Sequence, residues 1–189
     1  MTLLDAVKRR FARAPEPVRA AVEATPDADE RVLAWGSLVR DEGWLVATTR
    51  GLRLVNAAGG EAAPLLPWHE VGHARWAATA DGGGTFTITP LTEVEPGVQA
   101  RSAPRRHALS DPGELPQEVR RRVDRTVITS QRFPLPDRGG VVLVARRLPG
   151  QAAKEWTVVF DDDVDRSNPV NREEARRRLA EALAAEQPD

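Results

Sequence analysis

Residues 31–55 read RVLAWGSLVRDEGWLVATTRGLRLV, which is three short apolar runs separated by two turn-forming segments. The first turn contains Asp41, Glu42 and Gly43, and the second contains Arg50 and Gly51. Runs of β-branched, aliphatic and aromatic residues interrupted by glycine and acidic residues are typical of antiparallel strands joined by tight turns. The stretch therefore predicts three consecutive strands, over residues 31–39, 44–49 and 52–55.

The same alternation of short apolar runs and turn-forming residues continues as far as Pro90. It predicts extended segments over residues 64–71, 74–79 and 85–89, with a hairpin tip at the Asp-Gly-Gly-Gly sequence of residues 81–84. Four of the five tryptophans fall within this region, and we expect such large aromatic side chains to lie in a core. About six short strands with turns between them predict an antiparallel β-sandwich or barrel.

The second half of the chain predicts a last strand around residues 105–109 and then a helix over residues 115–131. Pro116 suits the first helical turn, and Leu115, Val119, Val123 and Val127 recur every four residues. Beyond the helix, we expect strands over residues 141–144 and 156–160 and a helix from Asn168 or Asn171 to Ala185, with Ala175, Leu179, Ala182 and Leu183 facing inward.

These elements define an α+β fold. We expect an antiparallel, pleckstrin-homology-like β-sandwich or barrel capped by an α-helix, with a C-terminal ββα extension. The predicted parts are an N-terminal helix and linker over residues 1–27, the sandwich with its capping helix over residues 28–132, and the extension over residues 133–189. Residues 2–12 are predicted to form a basic amphipathic helix, which we expect to dock on the protein's own core or on a second subunit. An anionic membrane surface is the alternative for this helix.

Composition limits the function classes. The 189 residues include 27 basic and 28 acidic side chains, so no overall field attracts nucleic acid or membranes. Cysteine is absent, which excludes disulfides, thiolate metal sites and a cysteine nucleophile. We find neither a secretory signal nor an apolar run approaching the roughly 20 residues that span a bilayer. We therefore expect a cytoplasmic protein.

One stretch matches the zinc-peptidase motif H-E-x-x-H, with His69 and His73 as metal ligands and Glu70 as general base. The motif works on a helix, where both imidazoles reach one ion. Pro64 and Pro67 lie just upstream, where a ligand helix should already be running, and proline disfavours helix interiors. On extended backbone the two histidines would lie about 13 Å apart.

The third ligand of such a site is missing in its familiar forms. A metzincin-like continuation needs glycine and histidine where this chain has Trp76 and Thr79, and the acidic candidates Glu93 and Glu95 lie in a proline-flanked stretch. We therefore interpret the motif as coincidence and expect no metal or other cofactor. A zinc-dependent metallopeptidase stays as an alternative.

A second candidate site is the arginine-rich part of the predicted capping helix, which contains Arg120, Arg121, Arg122 and Arg125. Together with the basic residues of 101–107 it could form an anion patch for nucleic acid or anionic lipid. Glu118 and Asp124 are interleaved with these arginines, and no aromatic stacking residue accompanies them. We interpret the arginines as a solvated helix face and keep the anion patch as a further alternative.

The quoted strands also resemble a known family. The segments that carry the resemblance are Val32-Leu-Ala-Trp35, residues 44–49 and 51–55, Leu66-Pro-Trp68, Val71, Ala74-Arg-Trp76 and the helix sequence of residues 118–123. Over residues 28–132 they resemble a bacterial, actinobacterial pleckstrin-homology-like domain of uncharacterised function. The resemblance implies a seven-stranded sandwich that binds lipids, peptides or proteins and rarely catalyses. Lipid-binding members use a basic first hairpin loop, whereas residues 40–43 here are mostly acidic.

The sequence thus favours a non-enzymatic interaction module. We expect its partner to be an unknown protein or a second copy of the chain, bound through exposed strand edges or the N-terminal helix. Nucleic acid is not expected as a partner, and peripheral membrane contact stays open.

Overall fold

The computed structural model of the protein describes residues 13–58, 63–136, 138–148 and 154–186. The helix predicted over residues 2–12 lies outside these ranges. Within them the chain is α+β, with three α-helices and eleven strands. In chain order the elements are α1 (Glu16–Glu23), β1 (Val32–Leu38), β2 (Gly43–Thr48), β3 (Gly51–Asn56), β4 (Leu66–Pro67), β5 (Val71–Ala78), β6 (Gly84–Glu95), β7 (Val98–Arg101), β8 (Arg105–Asp111), α2 (Leu115–Thr126), β9 (Val127–Pro134), β10 (Gly140–Arg147), β11 (Lys154–Phe160) and α3 (Pro169–Ala184).

The described residues form two compact units whose segments interleave along the chain. The first unit contains the residues up to Trp68 together with His73–Ile88 and Arg105–Arg122. The second unit contains His69–Gly72, Thr89–Pro104 and the residues from Val123 onward. Both units are built on strands that pair mostly antiparallel, and neither set of strands closes into a barrel.

In the first unit the strand order is β4-β3-β2-β1-β8-β6, and β5 pairs with β6. Strands β1, β2 and β3 form the meander predicted from residues 31–55, with Trp35 opposite Val46 in the β1–β2 pair. Helix α1 packs on this meander through Val18 and Ala21, which join Val46 and Val55 in one core cluster. Strands β4 and β5 each pair with one neighbour only, so the sheet is open.

Helix α1 lies within the stretch after residue 12 that the sequence analysis assigns to a linker, and it contains Pro17. Pro17 stands in the first helical turn, where the missing N–H costs no hydrogen bond.

The prediction of one extended segment over residues 64–71 is wrong. Strand β4 has two residues, and a 3-10 turn over Trp68–Glu70 follows it. The indole of the buried Trp68 holds this turn by donating from Nε1 to the Thr48 carbonyl at 3.0 Å.

A buried ion pair lies beside the meander. The Glu30 carboxylate is fully buried and accepts hydrogen bonds from Arg53 Nε and Nη2, both at 2.9 Å, and from Thr48 Oγ1 at 2.7 Å. Burial by itself raises the pKa of Glu30, but the hydrogen bonds from Arg53 and Thr48 outweigh it, so the pKa lies below its usual value. Glu30 is therefore charged in the folded protein at neutral pH.

In the second unit the strand order is β6-β7-β11-β10-β9, with β7 and β11 parallel and the other pairs antiparallel. Helix α3 packs on one face of these strands. The buried residues of this core are Val98, Leu135, Val141, Leu143, Val158, Phe160, Val164 and Ala175, with Leu179 and Ala182 packed against them. Leu183 was expected to face inward, but it is 49% exposed.

The capping helix is shorter than predicted. It ends at Thr126, and residues 127–134 form strand β9, which pairs with β10. Val127, Ile128 and Thr129 are β-branched, and such side chains lose rotamer freedom in a helix and fit a strand better. Strand β9 lies mostly before the predicted extension of residues 133–189, yet it pairs with β10, a strand of that extension.

Candidate functional site

The structure does not form the helix that the zinc motif requires. His69 and Glu70 lie in the 3-10 turn that precedes β5, with 3.8 Å between His69 Nε2 and Glu70 Oε1, whereas His73 lies within β5. A helix brings side chains four residues apart onto adjacent turns, close enough to share one ion, whereas extended backbone separates them by roughly 3.3 Å per residue. Among the residues that the structure describes, no three His, Cys, Asp or Glu side chains gather as metal ligands. The residues present do not fit a catalytic zinc ion.

The arginines of α2 are partly balanced by the helix itself. Glu118 accepts hydrogen bonds from Arg121 and from Arg122 Nε, the second at 2.8 Å. Burial raises the pKa of Glu118, but these two guanidinium groups lower it more, so the carboxylate is charged. Arg120 also has an interaction partner, and Arg125 lies exposed near the helix end. At least two of the four positive charges are therefore paired within the helix.

The basic residues of β8 do not gather into one patch. Arg105 lies opposite Ile88 and Arg106 lies opposite Thr87, so the two arginines point to opposite faces of the sheet. His107 is half-buried, and burial followed by the charge of Arg105 lowers its pKa, which favours the neutral imidazole. The part of the alternative anion patch that residues 105 and 106 would supply is thus divided between two faces.

Strand β9 is the feature that sequence reasoning missed. It is the last strand in the order of the second unit, and β10 is its one strand partner among the described residues. Seven of its eight residues are exposed. Val127 is 37% exposed and Ile128 is 45% exposed, which places two adjacent apolar side chains in solvent. The sequence signal is the β-branched triplet of residues 127–129 directly after a helix.

Over its first five residues, the outer edge of β9 has none of the charged side chains that usually protect edge strands. Natural edges are shielded by being very short or by carrying charged side chains, which prevents pairing with other chains. The first five residues of β9, Val-Ile-Thr-Ser-Gln, are uncharged, and the charge of Arg132 is paired with Asp161 of the same chain. A register shift opposite Ala145 and Arg146 marks a bulge near the start of the strand, and residues 129–134 pair regularly after it.

The other free edges are less suited to binding. Strand β4 has two residues, too few for a ladder of backbone hydrogen bonds. Strand β5 has eight residues, but His73 and Arg75 are exposed along it. Charged and titratable side chains on an edge oppose strand addition. Strand β9 is therefore the best docking edge in the described part of the chain.

An open groove of about 510 Å³ lies at the start of α3 and offers no catalytic chemistry. Pro136, Pro169 and Val170 form part of its lining. The arginines that line it are paired, since Arg176 Nε contacts Glu95 at 2.8 Å and Arg177 Nε contacts Glu174 at 2.9 Å. The charges around this groove are balanced by one another.

Comparison with models of known families, with curated proteins and with solved structures gives no match to this chain. None of the helices in the described ranges is long and apolar enough to cross a bilayer. Functional conclusions accordingly rest on the residues and their geometry.

Proposed function

We propose that this protein is a non-enzymatic, cytoplasmic protein-binding module that takes up an extended segment of another protein as an added strand on β9. The observation that carries the proposal is the exposed, uncharged edge of β9 with Val127 and Ile128 in solvent. In strand addition the backbone ladder supplies affinity, and alternate side chains supply specificity.

The start of β9 argues for a different protein as the partner, rather than a second copy. Two copies of β9 would pair antiparallel about a two-fold axis. The exposed Val127 and Ile128 of one copy contact those of the other best when Ile128 lies opposite Ile128 of the second copy. Helix α2 ends at Thr126, directly before β9. Such a pair would overlap over residues 127–129 only, which is too short for a stable ladder. An unrelated segment with apolar residues at one end can pair along the whole edge.

We also propose that the first unit with α2 is a pleckstrin-homology-like domain. Its support is the count and order of elements, because seven strands, β1 to β6 and β8, contribute to this unit and an amphipathic helix follows them. The open sheet, in which β4 and β5 each pair with one strand, is a departure from a closed sandwich. Such folds serve as binding scaffolds, in keeping with a module that carries no catalytic centre.

The experiment is a selection of displayed random 12-residue peptides on the full chain, with counter-selection on an Ile128→Lys variant. A lysine at this position adds the charge that natural edges use against pairing. Leu183→Lys is the matched control, because Leu183 is similarly exposed on α3. Enriched peptides should bind the wild-type protein and the control equally and the Ile128→Lys variant at least tenfold more weakly.

Hydrogen exchange locates the bound peptide, and light scattering identifies the alternative occupant. Peptide binding should slow exchange of the backbone amides of residues 127–133. The proposal is overturned if no peptide survives counter-selection or if protection falls elsewhere. A dimer of the wild-type chain that Ile128→Lys dissociates would instead assign the edge to a second copy.

A further inference from the structure

Arg146, near the end of β10, is a buried cation with no counter-ion among the residues that the structure describes. The residue is 7% exposed, and the hydrogen bond that it forms within the described ranges runs from Nη1 to Thr126 Oγ1 at 3.0 Å. Its Nε is fully buried and has no acceptor in those ranges. Among the described residues no carboxylate lies within ion-pair distance of this guanidinium, whereas the equally buried Glu30 has Arg53 as its partner.

The nearest carboxylate along the sheet does not fill this role. Glu155 lies directly opposite Arg146 on β11, yet its side chain is exposed and forms no ion pair with the arginine. Burial lowers the pKa of Arg146, but a guanidinium stays protonated in proteins. A buried charge that is neither paired nor neutralised is strongly disfavoured. Among its described residues, the second unit therefore holds a buried positive charge with no carboxylate to pair with it.

Thr126 orients this charge. Its hydroxyl donates to the Val123 carbonyl at 2.7 Å, which leaves its oxygen free to accept from Arg146 Nη1. Fixing Nη1 in this way leaves Nε and Nη2, the two donors on the adjacent edge of the guanidinium. These two parallel N–H groups match two oxygens of a carboxylate or a phosphate.

A second unsatisfied group lies on the same face of the sheet. Thr157 lies opposite Val144, two positions from Arg146 along β10, so its side chain shares a face with Arg146. Thr157 is buried, and its Oγ1 has no hydrogen-bond partner. A hydroxyl can donate to an anion as readily as to a carbonyl. Two buried donors without acceptors on one face indicate a missing acceptor.

We propose that Arg146 and Thr126 form a binding site for a small oxyanion, held by the Nε and Nη2 edge of the guanidinium, with Thr157 as a further donor. The shared chemistry of the ligand is a pair of oxygens carrying negative charge, as in a free phosphate or a carboxylate. The site is independent of strand addition at β9.

Isothermal titration of the full chain with sodium phosphate and, separately, with sodium acetate tests this site at constant ionic strength. Wild-type protein should bind one anion saturably, and the preferred anion identifies the source. Arg146→Lys keeps the charge but loses the paired donors, so affinity should fall at least tenfold. Arg147→Lys changes the exposed neighbouring arginine and should bind as the wild-type chain does.

Absence of saturable binding to the wild-type protein overturns the proposal, as does equal binding by Arg146→Lys. Thr126→Val keeps the guanidinium and removes its fixed acceptor, so it tests the same geometry if the lysine variant does not fold. The valine variant should bind at least threefold more weakly. In NMR spectra, the Arg146 Nε–H resonance should move on titration of the wild-type chain, and an unmoved resonance would also contradict the proposal.

Discussion

Replacing Glu30 by glutamine should cost the first unit a large part of its stability. The carboxylate accepts two hydrogen bonds on Oε1, from Thr48 Oγ1 and Arg53 Nε, and one on Oε2, from Arg53 Nη2. In the Glu30→Gln variant one oxygen becomes an NH₂ group. If the remaining oxygen keeps the first two bonds, the new NH₂ group faces Arg53 Nη2, and two hydrogen-bond donors then oppose each other. In the variant Arg53 therefore loses the acceptor of its Nη2 group and its counter-charge.

The expected magnitude follows from that loss. Removing one partner of a buried ion pair costs about 3–5 kcal/mol, because the remaining charge stays desolvated. Small domains are stable by only about 5–15 kcal/mol, so the change is a substantial fraction of the total. Arg53 also keeps its bond from Nη1 to the Ala63 carbonyl at 3.2 Å, which does not replace the lost charge.

Urea unfolding followed by tryptophan fluorescence measures this loss. Four of the five tryptophans lie in the first unit, so the signal reports mainly on the unit that contains Glu30. Asp27→Asn is the control, since Asp27 pairs with Arg50 at the surface and exposed pairs contribute little. A loss in Glu30→Gln no larger than that in Asp27→Asn would refute the reasoning.

The remaining predictions concern pH and packing. Because the folded-state pKa of Glu30 is lowered, the charged carboxylate stabilises the fold at pH values above its ordinary pKa of 4.5. This stabilisation disappears as the pH falls through the folded-state pKa. The difference in unfolding free energy between the wild-type and Glu30→Gln proteins should therefore shrink in acid. Gly84→Ala should lower the melting temperature markedly, since an added Cβ would lie 2.3 Å from the Ala77 carbonyl oxygen. Leu115→Ala should lower the free energy of unfolding in urea by about 2–5 kcal/mol, because Leu115 is fully buried. Val170→Ala should lower it far less, because Val170 is exposed.

Local signals predicted the meander of the first unit well. Strands β1, β2 and β3 match the predicted runs closely, because each is bounded by a turn that its own residues specify. Strand β7 was missed although Pro96 and Gly97 mark the turn of its antiparallel hairpin with β6. Its second pairing is the one that is not local. It pairs in parallel with β11 through Val98 opposite Val158, a contact across about sixty residues of sequence. No local pattern encodes such a pairing.

The docking edge was missed because a helical pattern ran past the end of the helix. Val119, Val123 and Val127 have the four-residue spacing of one helix face, which extended the prediction to residue 131. The chain instead changes to a strand between Thr126 and Val127 without an intervening loop. Val119 is buried, whereas Val127 is exposed. At this boundary the β preference of residues 127–129 outweighs the periodicity.

The charged residues show most clearly why functional sites could not be predicted from the sequence without the tertiary structure. Most of the charged pairs that matter join residues far apart in sequence, as Glu95 does with Arg172 and Arg176. A run such as residues 120–122 attracts notice in the sequence, yet two of its arginines share the carboxylate of Glu118, one helical turn away. Arg146 attracts no notice at the end of an apolar strand, yet its buried charge has no ion-pair partner in the described part of the chain. A charge becomes a functional candidate when folding leaves it without a partner, and this property belongs to the tertiary structure rather than to the motif.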